Sequence, residues 1–211
     1  MKNTLKKTLL MAVMALMLTF TVGTVVSTAV PVTVEAASTR TKMLKKADKI
    51  IKKQTNEDDS KATKLKKLFN YMRNTVTYKR DTARLGQIPS EDGWTDTFAL
   101  EMMTDLQGDC YHYAAMYAAL AQRATGYTTR VVVGTTCGFD KNRKNTQSHA
   151  WVEIKISKKW YIFDVNMDLY GKTTKGKTVK ALTYYKKLRT NDTMKQIYCK
   201  YKKVKNYSVK F

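Results

Sequence analysis

The segment between Gly108 and Gly126 constrains the fold of this chain most. It opens with a Gly-Asp pair, which is typical of a turn followed by a helix N-cap, and continues with an Ala-rich stretch over 110–125. Gly126 then supplies a helix stop. These signals predict one helix over 110–125 whose first residue is a cysteine, Cys110.

Segments with helical periodicity precede this helix, and segments typical of strands follow it. Apolar residues recur at steps of three and four over 37–75, which predicts two amphipathic helices, and a third helix is predicted over 97–106. Strands are predicted at 130–134, 149–156, 160–165 and around 197–202, with Lys158-Lys159 as a hairpin turn. Helices followed by antiparallel strands predict an α+β fold, in which the N-terminal helices pack on an antiparallel sheet.

The first 36 residues have the layout of a secretory signal. Lys2, Lys6 and Lys7 precede an uncharged stretch over 8–34, which closes with small residues before a cleavage point after Ala36. The alternative is an uncleaved membrane anchor, since a stretch of this length can span a bilayer. We expect a signal peptide over 1–36 and one mature domain over 37–211, composed of N-terminal helices (37–75), a core (97–165) and a basic extension (172–211). The protein is then secreted, extracellular or associated with the cell wall.

The chain is strongly cationic. Its net charge is +22, and residues 1–36 account for only two of these positive units. Outside a cell such a field attracts polyanions such as anionic cell-wall polymers, although the charge could serve solubility alone. No nucleic-acid recognition motif accompanies the charge, so we expect no nucleic-acid partner, and membrane contact only through an uncleaved leader. A polyanion-docking surface is predicted at Lys200, Lys202, Lys203 and Lys205.

The three cysteines are Cys110, Cys137 and Cys199. An odd count in an exported chain predicts either one disulfide and one free thiol or three free thiols. If a disulfide forms, we expect it between Cys137 and Cys199. Two histidines and no Cys-x-x-Cys pair provide too few ligands for a structural zinc site. We therefore expect no metal and no cofactor.

Cys110 is placed for thiolate chemistry, because the positive end of a helix dipole favours a negative charge. A general base must reach this thiol, and the chain offers two histidines. His112 is two residues further along the same helix, about 200° around its axis, so it points away. His149, at the start of a strand, is the better base.

The chain contains five strings whose order and spacing resemble the core of the transglutaminase-like superfamily: Gly108-Asp109-Cys110-Tyr111-His112-Tyr113-Ala114, Arg123-Ala124-Thr125-Gly126, Arg130-Val131-Val132-Val133-Gly134, His149-Ala150-Trp151-Val152-Glu153 and Trp160-Tyr161-Ile162-Phe163-Asp164. The resemblance covers about 61–165. It implies a papain-like enzyme in which Cys110 is the nucleophile, His149 the base and Asp164 the group that orients His149. Gln107 and Trp94, beside the backbone N–H of Cys110, are candidates for stabilising an oxyanion.

The orienting carboxylate has two candidates at this stage. With Lys158-Lys159 as a two-residue turn, His149 falls opposite Asp168. Asp164 lies on the same face but four residues away, about 13 Å along an ideal strand. We prefer Asp164 because its string matches the family, and we expect a bulge or strong coiling to shorten that distance.

The resemblance implies acyl transfer through a thioester. Cys110 would attack an amide carbonyl of a protein or peptide substrate, and His149 would protonate the leaving amine. Water as the next nucleophile makes the enzyme a peptidase or deamidase, whereas an amine makes it a cross-linking enzyme. We expect hydrolysis, partly because the sequence contains no acidic calcium loop of the kind associated with animal transglutaminases. The competing hypothesis is a catalytically inactive cationic module that binds anionic cell-wall polymers.

Overall fold

The computed structural model describes residues 30–80, 93–136, 147–169 and 201–209. The chain divides into two units, 1–34 and 35–211. Of the first unit, only the backbone of 30–34 is described. Across the described ranges, no helix is both long enough and apolar enough to cross a membrane. Most of the predicted leader lies outside these ranges, so its cleavage stays a prediction.

The described elements follow the predicted order of helices and then strands. In chain order they are α1 (Val30–Gln54), α2 (Lys61–Thr75), β1 (Thr77–Tyr78), α3 (Trp94–Asp105), β2 (Gln107–Gly108), α4 (Cys110–Thr125), β3 (Thr129–Thr136), β4 (Gln147–Ile156), β5 (Lys159–Phe163), α5 (Val165–Leu169) and β6 (Lys202–Val209). The last four strands form an antiparallel sheet in the order β5-β4-β3-β6. The predicted α+β class, with helices against an antiparallel sheet, is confirmed.

Helix α4 is the buried element against which the others pack. Its N-cap Asp109 accepts hydrogen bonds from two backbone N–H groups of the first turn, and it ends at Gly126. Gly126 has a φ of 67°, a left-handed conformation in which a side chain would be strained. The helix contacts α2, α3, β3 and β4, and its buried residues lie on all of its sides. A helix enclosed in this way is typical of a protein interior, and its predicted bounds are confirmed.

The flanking helices are amphipathic, as their periodicity predicts. In α2 the buried residues are Leu65, Leu68, Phe69 and Met72, and Ser60 caps its N-terminus by accepting the N–H of Thr63. Helix α3 begins at Trp94, three residues before the predicted start at Thr97. Its N-cap is a left-handed glycine rather than a residue with a capping side chain, so the usual local signal for a helix start is missing.

The hairpin between β4 and β5 turns one residue earlier than predicted. Ile156 pairs with Lys159, which leaves Ser157 and Lys158 as the turn. Both turn residues have positive φ, 48° and 69°, the conformation of a type I′ turn, whose twist matches that of the flanking strands. The prediction of Lys158-Lys159 is therefore wrong. Neither Ser nor Lys is a usual residue for positive φ, so the sequence does not mark the turn.

Strand β6 contains a β-bulge. Its ladder with β3 includes the consecutive pairs Val133–Lys205 and Gly134–Lys203. Val204 is therefore an extra residue without a partner on β3. Because side chains alternate between the faces of a sheet, the bulge moves Lys203 and the residues before it to the opposite face. Gly134 also pairs with His149 of β4, so Lys203 shares the face that carries His149.

Candidate active site

Cys110 is the first residue of α4 and is buried, with 8% of its surface exposed and no disulfide. The start of this helix is held by the short parallel pair β1–β2, in which Tyr78 pairs with Gly108. Asp109 then caps the helix. The thiol therefore lies at the N-terminal, positive end of a fixed helix.

His149, near the start of β4, reaches the thiol of Cys110. Its Nε2 lies 2.6 Å from Oδ2 of Asp164, and the neighbouring Cys110 side chain is close enough to contribute to raising the pKa of the imidazole. Because Nε2 is bound to Asp164, Nδ1 is the ring nitrogen left for the thiol. The structure thus brings the three predicted residues together in one chain of contacts.

Asp164 lies between β5 and α5, and both of its oxygens accept hydrogen bonds. Oδ1 accepts the backbone N–H of Met167 at 3.0 Å. Oδ2 accepts from His149 and from the hydroxyl of Tyr201, the latter at 2.8 Å. A carboxylate whose two oxygens both accept hydrogen bonds is held in one orientation.

The observed hairpin register explains how Asp164 reaches His149. The last β4–β5 pair is Val152 with Phe163, and continuing this register would set His149 opposite position 166. Asp164 is thus two residues from the ideal partner rather than four, and the predicted separation of about 13 Å is wrong. The alternative carboxylate, Asp168, has its backbone in α5, outside the ladder.

The charge of Asp164 controls the protonation of His149. Burial by itself lowers the pKa of His149, but the charge and hydrogen bond of Asp164, together with the contact to Cys110, outweigh burial and raise the pKa to about 10. His149 is therefore an imidazolium at neutral pH. An imidazolium is the partner that stabilises a thiolate and later donates a proton to a leaving group.

The second histidine, His112, does not join this arrangement. Its Nδ1 lies 2.8 Å from Oδ1 of Asp109 and its Nε2 lies 2.9 Å from Oε2 of Glu101. Its ring stacks on Phe98 with 4.4 Å between centroids. Burial lowers the pKa of His112, but the two carboxylates raise it overall. His112 thus completes the N-terminal cap of α4, in agreement with its expected orientation away from Cys110.

The two oxyanion candidates differ in their surroundings. Gln107 is exposed on β2. Trp94 is buried at the start of α3, and its ring meets that of Tyr111, the residue after Cys110, with 6.0 Å between centroids. The indole Nε1–H of Trp94 has no hydrogen-bond partner among the described residues. A buried donor without a partner is costly, and this distinguishes Trp94 from the exposed Gln107.

Tyr201 and Trp151 belong to the site but were not predicted as site residues. Tyr201 donates to Asp164, and its ring lies 4.7 Å from that of Trp151 between centroids. The ring of Trp151 in turn stacks with that of His149 at 6.3 Å. The alternation around 197–202 predicted an inward-facing Tyr201, but no sequence signal indicated which residue it would meet.

Glu153 anchors the other end of this aromatic group. It is buried, and its Oε1 accepts the indole N–H of Trp151 at 3.3 Å. Its Oε2 accepts from Arg130 through Nε and Nη2, at 2.9 and 2.6 Å, and from Nζ of Lys203 at 2.7 Å. The two cations neutralise the buried carboxylate, so Glu153 can hold Trp151 in place.

The lysines of the predicted polyanion-docking surface differ in their surroundings. Lys200 lies outside the described residues. Lys203 forms an ion pair with the buried Glu153, so it has a structural partner. Lys202 and Lys205 are exposed on β6. These two remain as the described part of the predicted polyanion surface.

The remaining predictions concern a disulfide and a metal site. Cys137 and Cys199 lie outside the described residues, so their disulfide stays a prediction. In the part of the chain that the structure describes, no group of three or more His, Cys, Asp or Glu residues is arranged to hold a metal ion.

Comparison with known proteins gives a family for the chain. Residues 47–165, more than half of the sequence, match the family model of the transglutaminase-like superfamily. A solved structure of a candidate cysteine protease from Cytophaga hutchinsonii is 20% identical, with a TM-score of 0.38, and the match covers 56% of this chain and 37% of that one. A structure named as a TGase is 17% identical, with a TM-score of 0.37, and covers 68% of this chain and 35% of that one. The chain thus matches little more than a third of either protein. No curated protein matches it significantly.

Proposed function

Because the chain belongs to the transglutaminase-like superfamily, we propose that it is a secreted cysteine-dependent enzyme that hydrolyses amide bonds of proteins or peptides through a thioester. The observation that carries the proposal is the chain of contacts from Cys110 through His149 to Asp164. The thiol lies at a helix N-terminus, the base is buried beside it, and a carboxylate fixes the base. These are the parts that an activated thiol nucleophile requires.

In the first half of the reaction, the Cys110 thiolate attacks the carbonyl carbon of the amide. A bond forms between Sγ and carbon, and the carbonyl electron pair moves to oxygen. The backbone N–H of Cys110 and the unpaired indole N–H of Trp94 are the donors that we assign to this oxyanion. The imidazolium of His149 then gives its proton to the departing nitrogen, the carbon–nitrogen bond breaks, and a thioester remains.

In the second half, His149 is neutral and acts as a base. It takes a proton from water as the water oxygen bonds to the thioester carbon, and the carbon–sulfur bond breaks to return the Cys110 thiolate. Asp164 stabilises the imidazolium that forms in this step and keeps the ring in one orientation.

Two parts of this proposal rest on the sequence: that water rather than an amine is the acyl acceptor, and that the protein is secreted. The N-terminal layout of charged, apolar and small residues supports export. The chain has no acidic calcium loop like that of animal transglutaminases, which favours a simple hydrolase. The exposed Lys202 and Lys205 on β6 support a further role for the basic surface, namely to hold the enzyme on an anionic cell-wall polymer.

The test of this function is a screen of the purified protein against peptides and wall fragments. Released amines or ammonia report hydrolysis, and incorporation of a fluorescent primary amine reports cross-linking. Each assay is paired with the Cys110→Ala variant, so that any activity independent of the thiol is subtracted. Cross-linking without hydrolysis would overturn the choice of water. An identical profile for both proteins would support the inactive binding module instead.

A further inference from the structure

We propose that Tyr201 is a positioning residue of the active site, and that its hydroxyl holds Asp164 in the orientation that His149 needs. The proposal rests on the proposed function of Cys110, because it concerns the same site. Tyr201 does not touch the thiol or a substrate in this account. It acts through Asp164.

The contact itself is direct. The hydroxyl of Tyr201 donates to Oδ2 of Asp164 at 2.8 Å, the same oxygen that accepts from Nε2 of His149 at 2.6 Å. The other oxygen accepts the backbone N–H of Met167. Donors on both oxygens fix the plane of the carboxylate, and two donors on Oδ2 keep that oxygen turned toward the imidazole. Without Tyr201, His149 would be the one donor to Oδ2 among the residues that the structure describes.

The ring of Tyr201 is itself immobilised. It is 4% exposed and packs edge-on against Trp151, with 4.7 Å between ring centroids. Trp151 is held by its hydrogen bond to Glu153, and Lys203 of β6 binds the same carboxylate. Tyr201 directly precedes β6 and Lys203 lies within it, so the start of β6 is attached to the site at two points. A hydroxyl on a fixed ring loses little freedom when it forms its hydrogen bond.

The fold provides this contact through the bulge at Val204. In a regular ladder without the extra residue, the side chains of Tyr201 and Lys203 would lie on the sheet face opposite His149. Shifting a strand by one residue moves each of its side chains to the other face of the sheet. The bulge places both on the His149 face. Gly134 makes it possible, since a Cβ there would clash with the backbone oxygen of Lys202 and lie 2.8 Å from the ring of Trp151. A bulge that re-aims side chains beside a site is a recurrent device in sheets.

The consequence is a specific effect on thiol reactivity. Loss of the hydroxyl removes a hydrogen bond to a charged group, and the carboxylate becomes free to turn away from Nε2 of His149. The imidazolium and the Cys110 thiolate then lose part of their mutual stabilisation. We expect the rate constant for alkylation of Cys110 to fall about tenfold, the size of effect that one such hydrogen bond can produce.

The experiment compares Tyr201→Phe with Tyr117→Phe in the purified protein. Tyr117 is fully buried in α4, and its hydroxyl donates to the backbone oxygen of Leu65 at 3.2 Å rather than to Asp164. Both variants therefore lose one buried hydroxyl and keep the ring. The first readout is alkylation of Cys110 by iodoacetamide, quantified at that cysteine by peptide mass spectrometry. The second is the downfield N–H proton resonance of His149 in NMR spectra, which reports its hydrogen bond to Asp164.

The expected result is a slower alkylation and a shifted or broadened His149 resonance in Tyr201→Phe, with both readouts unchanged in Tyr117→Phe. Wild-type values in Tyr201→Phe would overturn the proposal. Equal losses in both variants would also overturn it, because the effect would then come from general loosening. If the wild-type thiol reacts like a free cysteine, the proposed function fails, whereas the His149 resonance still decides the role of Tyr201.

Discussion

Nε2 of His149 lies 2.6 Å from Oδ2 of Asp164, although the two residues are fifteen positions apart and on different elements. The contact leaves Nδ1 of the imidazole for Cys110 and determines the charge of the ring. It depends on a hairpin turn at Ser157 and Lys158.

Replacing Cys110 with alanine should abolish turnover and leave the fold intact. The change removes one sulfur atom from a helix N-terminus that Asp109 continues to cap. We expect the melting temperature to change by about 2–4 °C, the shift that about 1 kcal/mol causes in a domain of this size. Activity and thermal unfolding measured on the same sample check this. Cys137→Ala and Cys199→Ala are the matched controls and should keep activity.

Asp164→Asn should lower the rate by up to about 10⁴-fold, because an amide can hold the imidazole in the wrong tautomer and cannot stabilise its positive charge. Asp168→Asn, the same chemical change on α5, should keep most of the activity. Initial rates for both variants with the same substrate provide the measurement. A large loss at Asp168 with little change at Asp164 would contradict the assignment.

The two histidines should respond differently to removal. His149→Ala should abolish activity, since it removes the base. His112→Ala should retain most of the activity of the folded protein but unfold more easily, by about 1–3 kcal/mol, because the buried Asp109 loses its imidazole partner and keeps only its backbone N–H donors. Activity at low temperature and denaturant unfolding separate the two effects. If His112→Ala lost activity and His149→Ala kept it, the assignment of His149 as the base would be wrong.

The stabilisation from His149 should depend on pH in a defined window. The pKa of His149 rises from 6.5 to about 10 in the folded state, because burial, which lowers it, is outweighed by the charge and hydrogen bond of Asp164 together with the neighbouring Cys110. A raised pKa means that the folded state binds the proton more tightly, so the stabilisation is complete below pH 6.5 and is lost as pH rises toward 10. The difference in unfolding free energy between wild type and His149→Gln should therefore shrink over this window. Denaturant unfolding at pH 6, 8 and 10 measures it, and a constant difference would contradict the charged pair.

The basic surface of β6 should bind anionic wall polymer in a salt-dependent way. Changing the exposed Lys202 and Lys205 to Gln should weaken retention at low salt, because two positive charges that attract the polymer are lost. The remaining retention should also be less sensitive to salt, since salt screens charge–charge attraction, over about 8 Å at physiological ionic strength. Lys203 stays unchanged because of its ion pair with Glu153. The control changes Lys158 and Lys159, exposed at the β4–β5 hairpin, to Gln. Equal retention of the two variants and wild type would leave the charge as a solubility feature.

Several features of this protein follow from local sequence signals. Asp109, Gly126 and the Ala-rich stretch between them determine a helix with Cys110 at its start, because capping and left-handed termination act within a few residues. Alternating apolar residues determine β4 with His149 near its start. The order of these strings was sufficient to predict the family and its α+β fold.

The tertiary structure alone decided which side chains meet in the site. The turn at Ser157 and Lys158 carries no residue that usually marks positive φ, so the register that brings Asp164 to His149 was not readable from the sequence. The bulge at Val204, which turns Tyr201 toward Asp164, forms only when β6 pairs with a strand some seventy residues earlier. A one-residue shift in such pairing exchanges the two faces of a strand. The local sequence does not distinguish between these strand registers. The register is determined only when the strands pack together in the sheet.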